Sequence, residues 1–246
     1  MAKPNRFPDR APNPLSCFTC QSRNQAEWCV LFDDDIALLD QAKVPKTYRP
    51  GQIIFAQGDP CKAIYCVESG TIALRKMDAD GNSVLVRLAH AGQTLGYRSY
   101  FGGKEYAASA EVLEPSTVCL IEASALRGLL EQNPSLGLRF LEHLAQDLTN
   151  AEEIILHNVS LPVRIRLVHL LLTLKDRFGS VDGEGNIIIS LPMRRRDIAA
   201  LLGTRPETLA RTIHSLGTDE VAMFSGRQVM IPDLDNLLDE IEPVSV

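Results

Sequence analysis

Three cysteines stand close together near the N-terminus, in a spacing that suits metal binding. Cys17 and Cys20 form a C-x₂-C pair, and Cys29 follows after eight intervening residues. A C-x₂-C hairpin lets two sulfurs bind one metal centre, and thiolates are preferred ligands of zinc and of iron–sulfur clusters. Because such centres take four protein ligands, the spacing predicts a thiolate-bound centre whose fourth ligand comes from another part of the chain.

The other cysteines are more scattered. Cys61 and Cys66 lie in and beside a predicted strand, where we expect structural roles, because a lone cysteine in a strand is most often a small core residue. The N-terminal cluster also suits other chemistry: a structural zinc site, a metal-free thiol switch or a dithiol enzyme. We disfavour the enzyme because no βαβ pattern surrounds the C-x₂-C motif, and we expect no enzymatic activity.

A second group of chemically suggestive residues lies near the C-terminus. Three consecutive arginines, at positions 194–196, begin a short predicted helix, and the next predicted helix carries Glu207 and Arg211 on one face. Cations at a helix N-terminus oppose the helix dipole, and a bound phosphate would resolve that conflict. Arginine binds guanine bidentately and glutamate accepts from the cytosine amine, so the pair on the second helix predicts base reading. A surface ion pair is the alternative.

The elements around these side chains follow the order of a DNA-binding motif. A helix at 194–202 is followed by a glycine-containing turn at 203–205, a second helix at 206–216 and a hairpin over 221–231. An additional helix precedes them and ends at Gly179. This order predicts a winged helix-turn-helix, whose second helix enters the major groove.

The central part of the chain has the pattern of an all-β domain. Between residues 51 and 122, short β-rich runs alternate with glycine-containing turns at roughly ten-residue intervals. Asp80-Gly81 between two such runs is a strong hairpin signal. Regular short strands at this spacing predict a sandwich, a roll or a barrel.

A long helix is predicted to follow, with Asn133 as its N-cap and Pro134 as its first residue. Apolar residues repeat along it with spacings of 3, 4, 3 and 4, at Leu141, Leu144, Leu148, Ala151 and Ile155. This repeat predicts the seam of a two-stranded coiled coil and hence a homodimer. Packing of the helix on its own domain is the alternative, since Leu138, Phe140 and Ile154 widen the apolar stripe.

Composition limits the protein class. The 246 residues are 45% apolar and 23% charged, which is typical of a globular chain. No apolar run approaches the roughly 18 residues of a membrane span and no signal peptide is evident, so we expect a cytoplasmic protein without membrane contact. The net charge is −6, yet residues 162–214 carry nine Lys/Arg against five Asp/Glu. That local excess of positive charge favours a nucleic-acid partner.

Together these patterns predict an α+β protein with four parts. They are a cysteine-bearing arm (1–35), a β-roll (36–132), a dimerisation helix (133–160) and a winged helix-turn-helix domain (161–246).

The order of these elements resembles the CRP/FNR family of bacterial transcription regulators over about residues 30–235. The matching stretches include 51–58, 67–71 and 195–211. The resemblance implies that the roll is a jelly roll of the cyclic-nucleotide-binding type. It also implies a homodimer that binds double-stranded DNA and has RNA polymerase as a partner.

By the pattern of this family, Glu207 and Arg211 are the base readers, and Arg195 and Thr208 lie where phosphate contacts are made. Ala210 stands where the FNR branch has a serine, and alanine can touch a thymine methyl group. We expect palindromic sites with a half-site similar to TTGAT.

The resemblance also bears on the ligand of the roll. Family members that bind a cyclic nucleotide hold its phosphate with an Arg-Ser pair, and this chain has Tyr106-Ala107 at the corresponding place. Gln93 replaces the acidic residue that contacts the ribose. We therefore expect no cyclic nucleotide.

The cysteines resemble those of the FNR branch, which has a C-x₂-C arm, a third arm cysteine and one central cysteine in the roll. The resemblance implies a [4Fe–4S] cluster held by Cys17, Cys20, Cys29 and Cys119, and regulation by oxygen, redox state or nitric oxide. The gap before Cys29 is longer than in FNR itself. A structural zinc on the same sulfurs and a metal-free thiol switch are the alternatives.

Overall fold

The computed structural model describes residues 16–77, 81 and 83–241. The proline-rich first part of the predicted arm, residues 1–15, lies outside the described residues, as do the last five residues of the predicted C-terminal domain. No helix in the described part is both long enough and apolar enough to cross a lipid bilayer.

The central domain is built from eight strands. They are β1 Val44–Tyr48, β2 Ile53–Phe55, β3 Ala63–Ser69, β4 Thr71–Met77, β5 Ser83–His90, β6 Thr94–Leu95, β7 Ser109–Val112 and β8 Ser116–Glu122. They form two antiparallel sheets, one with the order β1-β8-β3-β6 and the other with the order β2-β7-β4-β5. Ile72 and Val112 from one sheet share a buried core with Val67 and Val118 from the other. This is the predicted β-roll.

Glycine is needed at the turn between β3 and β4. Gly70 has a φ of +90°, and a Cβ there would lie 2.1 Å from the Ser116 Oγ. No other residue fits this close approach without displacing β8. The next hairpin, predicted around Gly81, is also present, because β4 and β5 pair from Thr71 opposite His90 to Met77 opposite Ser83.

Helices and 3₁₀ turns surround the roll on the N-terminal side and at its end. Two 3₁₀ turns, Gln21–Gln25 and Glu27–Val30, lead into α1, Asp33–Ala42. The remaining helices of this part are α2 Tyr97–Phe101, α3 Ala123–Gln132 and the 27-residue α4 Pro134–Ser160.

The start of α4 agrees with its prediction in position but not in side-chain contacts. Asn133 is the N-cap residue and Pro134 follows it in the first turn. The Asn133 side chain, however, makes no capping hydrogen bond; its Nδ2 donates to Asp35 Oδ2 at 2.9 Å. Asn133 therefore ties the start of α4 to α1.

The C-terminal domain contains four helices and a four-stranded sheet. The helices are α5 Val163–Phe178, α6 Arg195–Leu201, α7 Pro206–Thr218 and α8 Leu234–Asp239, and the strands are β9 Gly179–Val181, β10 Ile187–Ser190, β11 Met223–Ser225 and β12 Gln228–Ile231. The strand order is β11-β12-β10-β9. The helices α6 and α7 flank a turn at Gly203, and β11 and β12 form the wing. The predicted winged helix-turn-helix and the α+β fold class are confirmed.

The C-terminal domain packs directly on the roll. Ala73 and Leu85 of the roll belong to the same hydrophobic cluster as Ile198 of α6. Arg75 of β4 also joins the domains, because its Nη1 lies 2.7 Å from Asp197 Oδ1 while its Nε donates to Glu111 of β7. The relative position of the two domains therefore depends on apolar contact and on a nearly buried ion pair.

Candidate thiol cavity and DNA-binding surface

Four cysteines line one small cavity between the N-terminal segment and the roll. They are Cys17, Cys20, Cys66 and Cys119, and the enclosed space measures about 40 Å³. A single water molecule needs roughly 10–15 Å³, so the cavity has room for a small guest. Three of the four residues are predicted ligands. The fourth, Cys66, had been assigned a structural role from the sequence.

Strand pairing places two of these thiols side by side. Cys66 of β3 stands directly opposite Cys119 of β8 in the antiparallel register. Opposed residues project from the same face of a sheet, with Cβ atoms about 4.5–5.5 Å apart. The sequence gives no sign of this proximity, because 52 residues separate the two cysteines and only the strand register brings them together.

Hydrogen bonds hold the N-terminal segment over this face of the sheet. The Ser22 hydroxyl donates to the Glu68 carbonyl at 2.8 Å. The Arg23 Nε donates to the Cys17 carbonyl at 2.9 Å, and the Cys17 amide donates to Asp40 Oδ1 at 2.6 Å. The C-x₂-C pair is thus fixed between α1 and β3.

The cavity keeps its thiols protonated in this state. Burial raises the pKa of Cys17 to about 11 and that of Cys119 to about 12, against a partly opposing effect of Lys43. Burial also raises the pKa of Cys66 well above its usual value, and the nearby Glu27 adds to this. A metal that binds here would have to displace these protons.

Cys29 lies elsewhere. Its side chain is exposed, does not line the thiol cavity and interacts with the Arg139 guanidinium of α4. The preceding residue, Trp28, is only 2% exposed and packs edge-on against Phe140 of α4, with ring centroids 5.7 Å apart. Bringing Cys29 to the cavity would require moving the 3₁₀ turn that holds Trp28 in the core.

The cavity nevertheless has features of a site for a thiolate-bound group. Trp28 and Glu68 line it, and among the described residues neither Trp28 Nε1 nor Glu68 Oε2 has a hydrogen-bond partner, although both atoms are buried. Donors that point at sulfur are a normal part of iron–sulfur sites. The described residues contain no group of three ligating side chains already close enough to hold a metal ion together, so the thiols must rotate to meet.

A buried polar network connects the N-terminal segment to α4. Glu27 accepts a hydrogen bond from Thr94 at 2.6 Å and pairs with His143 of α4. The bond to Glu27 raises the pKa of His143, so that a charged imidazolium faces the carboxylate. One turn further along α4, Asp147 accepts from Arg87 and from the Tyr97 hydroxyl. Both polar and aromatic contacts therefore link this segment, α4 and the roll.

The arginines of the C-terminal domain lie at the start of α6, as predicted. The residues at 194–196 are exposed, while Asp197 is buried and accepts from the Arg194 amide at 3.1 Å. Arg195 lines a groove with Ala210 and His214 of α7. This groove places a cation beside the exposed face of the second helix.

The exposed face of α7 carries the predicted base readers. Leu209, Ile213 and Leu216 are buried, and Glu207 and Arg211 are exposed on the other side. Ion pairs in the described part of the chain do not include one between Glu207 and Arg211. The Arg211 guanidinium instead reaches the Thr208 hydroxyl at 3.5 Å, a weak contact. The alternative of a surface ion pair thus lacks support from the geometry.

Comparison with known proteins gives these two domains a family. Residues 45–133 match the model of the "Cyclic nucleotide-binding domain", and residues 165–240 match that of the "Crp-like helix-turn-helix domain". The two matches together cover more than half of the chain. It belongs to the CRP/FNR family of transcription regulators.

Several members of this family align along most of the chain. The transcriptional activator protein FnrL of Cereibacter sphaeroides is 25% identical over 228 residues, which cover 91% of each chain. The fumarate and nitrate reduction regulatory protein of Vibrio cholerae is 27% identical over 216 residues, which cover 86% of each chain. The structure of FixK2 from Bradyrhizobium japonicum superimposes with a TM-score of 0.68 at 25% identity, covering 82% of this chain and 99% of FixK2.

As a member of this family, the chain is a DNA-binding regulator and not an enzyme, and its DNA contacts are made by the helix-turn-helix. The family model at residues 45–133 describes a nucleotide-binding fold. In this chain Tyr106 stacks on Phe55 with centroids 4.1 Å apart, and its hydroxyl donates to the Ala63 carbonyl at 2.6 Å. The Gln93 side chain accepts from the His90 amide at 3.0 Å. Both side chains that replace the expected nucleotide contacts are thus bonded to the roll itself.

The predicted seam of α4 is divided between two surroundings. Leu141, Leu148 and Ile155 are each more than 60% exposed, and Ala151 is exposed beside them. Leu144 is partly buried against the N-terminal core, as are Leu136 and Phe140 more fully. One side of α4 therefore packs on its own domain, and a second side presents an uncovered apolar stripe.

Proposed function

We propose that this CRP/FNR-family regulator senses oxygen, redox state or nitric oxide through a thiolate-bound [4Fe–4S] cluster in the thiol cavity. The observation that carries the proposal is the cavity itself, where cysteines from the N-terminal segment and from the roll face one another. Its relatives include proteins named for fumarate and nitrate reduction. A bound cluster supplies reactivity toward oxygen and nitric oxide that protein side chains lack.

Cys17, Cys20 and Cys119 are three of the proposed ligands. For the fourth thiolate the chain offers two candidates, Cys29 from the sequence pattern and Cys66 from the structure. The soft thiolates and the unpaired Trp28 Nε1 suit an iron–sulfur centre. Nearby cations, Arg23 and the buried Lys43, offset the negative charge that four thiolates bring.

The residues of the chain can relay a change at the cavity to α4. Trp28 packs on Phe140, Glu27 pairs with His143, and Cys29 lies beside Arg139. A rearrangement of the segment that carries the cysteines must therefore alter side chains on the first half of α4. Since interfaces and cores switch between discrete packings, a small shift there can be amplified.

We propose that the uncovered stripe of α4 forms a homodimer. Contiguous exposed apolar surface of this kind marks an interaction site, and the 3-4 spacing suits a parallel pair of helices. Glu152 and Glu153 flank the stripe and would repel each other across a parallel pair, so roll contacts must assist. A two-fold dimer presents two α7 helices to half-sites of a palindrome about one helical turn apart.

On the DNA, Glu207 and Arg211 are proposed to read a G·C pair, while Arg195 and Thr208 contact phosphate. The absence of a Glu207–Arg211 ion pair among the described contacts leaves both side chains available for bases. RNA polymerase is the proposed protein partner of the bound dimer, and no cyclic nucleotide is proposed, because Tyr106 fills the space with its ring.

Anaerobic purification followed by iron and sulfide analysis tests the sensing proposal. We expect about four iron and four sulfide per chain, as for any [4Fe–4S] protein, and tighter binding to a palindromic site before air exposure than after. Iron-free protein with air-sensitive thiols would favour the metal-free switch instead. DNA binding that air leaves unchanged, with one zinc per chain, would favour a structural site.

The structural zinc site merits this direct comparison because of the size of the cavity. An enclosed space of about 40 Å³ accommodates a single ion more readily than a cluster, which would have to widen it. Four thiolates are also a common zinc ligand set. Metal analysis of protein grown with and without added zinc separates the two.

A further inference from the structure

The composition of the cavity wall disagrees with the ligand set that the sequence pattern implies. Cys17, Cys20 and Cys119 line the cavity, and the fourth thiol in its wall is Cys66. Cys29 is exposed on the far side of the turn that contains Trp28. The disagreement concerns which thiol completes the site.

The surroundings of Cys66 are those of a ligand rather than of a filler of the core. It stands opposite Cys119 in the strand register, so both sulfurs project from one face of the sheet toward the C-x₂-C pair. Its only printed polar contact is a long one, 3.9 Å, to the Thr94 hydroxyl. The position is set by two central strands, and rigid elements hold a ligand more precisely than a loop does.

Moving Cys29 into the site would disturb more of the structure. Trp28 would leave an almost fully buried position against Phe140, and Glu27 would lose its bonds to Thr94 and His143. Loss of a buried aromatic side chain from a core typically costs several kcal/mol. Cys66 needs only a side-chain rotation.

We infer that Cys66, rather than Cys29, supplies the fourth thiolate of the metal centre, together with Cys17, Cys20 and Cys119. This inference rests on the proposed function only in requiring that the cavity bind a thiophilic metal centre. On binding, each thiol forms a sulfur–metal bond and releases its proton to solvent. Cys29 remains an exposed thiol beside α4.

The single tryptophan of the chain gives a direct readout, since Trp28 lines the cavity. Cobalt(II) bound by thiolates absorbs through sulfur-to-metal charge transfer and quenches nearby indole fluorescence. Titrating the reduced, metal-free full-length protein with cobalt(II) under anaerobic conditions therefore reports both occupancy and thiolate number. Parallel samples are loaded with iron and sulfide, or with zinc, and their metal and sulfide contents are measured.

The variants are Cys66→Ser, Cys66→Ala, Cys29→Ser and, as a matched control, Cys61→Ser. Cys61 is a partly buried thiol of the roll that contacts the carbonyls of Ala63 and Gly96 and does not line the cavity. We expect either Cys66 variant to weaken cobalt binding by more than the roughly 10–100-fold that loss of an outer partner causes. Cys29→Ser and Cys61→Ser should bind within about twofold of the parent, a difference well under 1 kcal/mol.

The outcomes separate the two proposals. Full cobalt affinity and charge-transfer intensity in folded Cys66→Ser or Cys66→Ala, with loss in Cys29→Ser, overturns the inference and leaves the sensing proposal intact. A parent protein that neither quenches with cobalt nor takes up iron overturns both. If neither Cys66 variant folds, Cys29→Ser decides alone: retained four-thiolate absorption supports Cys66, and lost absorption overturns it. Sulfide content then distinguishes a cluster from a single ion.

Discussion

At the scale of single residues, the free side chains of α7 separate base reading from charge. Arg211 and Glu207 are exposed without a mutual ion pair among the described contacts, whereas Arg195 lies beside them at the start of α6. A bidentate guanine contact exists only at the right base, while a phosphate contact is the same on every sequence. The two arginines should therefore fail in different ways.

We expect Arg211→Ala to weaken binding to a cognate palindrome by roughly 1–3 kcal/mol and to leave random duplex nearly unchanged. Arg195→Ala should weaken both duplexes comparably and lower the salt dependence by about one unit. Fluorescence anisotropy at several salt concentrations measures both effects. Arg127→Ala on α3, an exposed arginine of the roll, is the matched control. An equal loss on every sequence for Arg211→Ala would refute its role as a base reader.

Residue types and spacing were enough to predict most of these side chains, and three of the four thiols of the cavity. Cys66 was missed because its proximity to Cys119 depends on strand register, which pairs residues far apart in sequence. Asn133 was placed correctly at the start of α4, but its bond to Asp35 depends on the tertiary position of α1. Contacts between elements are therefore what the sequence alone left undetermined.

At the scale of elements, the long and strongly patterned ones were predictable and the short ones were not. The helices α4 and α7 have clear boundaries in the sequence, because proline begins each and a wide apolar pattern follows. By contrast, α1 buries only Ile36 and Leu39, and α3 contains Gly128 in its interior. Such short segments form because the roll and α4 pack on them, and periodicity does not show this.

The divided surroundings of α4 lead to a prediction about assembly. Leu148 is 62% exposed on the uncovered stripe, whereas Leu144 is partly buried in its own domain. A charge at Leu148 should oppose dimerisation without disturbing the protomer. We expect Leu148→Glu to weaken the dimer at least tenfold, about 1.4 kcal/mol, with little change in thermal unfolding.

Sedimentation equilibrium of Leu148→Glu over a range of concentrations measures that effect. Asn150→Glu adds the same charge at an exposed polar position of the same helix and serves as the control. Leu144→Ala should instead lower the stability of the protomer, because it removes contacts within the N-terminal core. An unchanged dimer in Leu148→Glu would exclude this stripe as the interface.

At the scale of the whole molecule, the roll and the DNA-binding domain meet through Arg75. Its side chain is mostly buried between Asp197 of α6 and Glu111 of β7. Removing one partner of a buried ion pair leaves the other charge uncompensated and costs about 3–5 kcal/mol. Arg75→Met keeps the apolar stem, so we expect a loss of that order in the free energy of unfolding.

Asp197→Asn should cost less than Arg75→Met, since Arg75 keeps Glu111 as a partner. The double variant should be less destabilised than the two single losses added, because both remove the same interaction. Urea unfolding followed by circular dichroism gives the four free energies of this cycle. Glu111→Gln, on the exposed side of the same guanidinium, is the control and should have a smaller effect. Strict additivity of Arg75→Met and Asp197→Asn would show that the pair does not couple the domains.

The same contact should make the joint between the domains sensitive to acid. Although burial alone would raise the pKa of Asp197, its bonds to Arg75 and to the Arg194 amide hold the pKa below its ordinary value of 3.8. The unfolded chain therefore binds the proton more readily than the folded one. The stabilisation is complete above about pH 4 and is lost as the pH falls through the lower folded-state value. Thermal unfolding measured from pH 6 to pH 2 should show a steeper loss of stability for the parent than for Asp197→Asn, which carries no titrating group at this position. Parallel curves for the two proteins over that range would mean that Asp197 contributes no pH-dependent stability, and the docking would then rest on the apolar contacts of Ala73 and Leu85 alone.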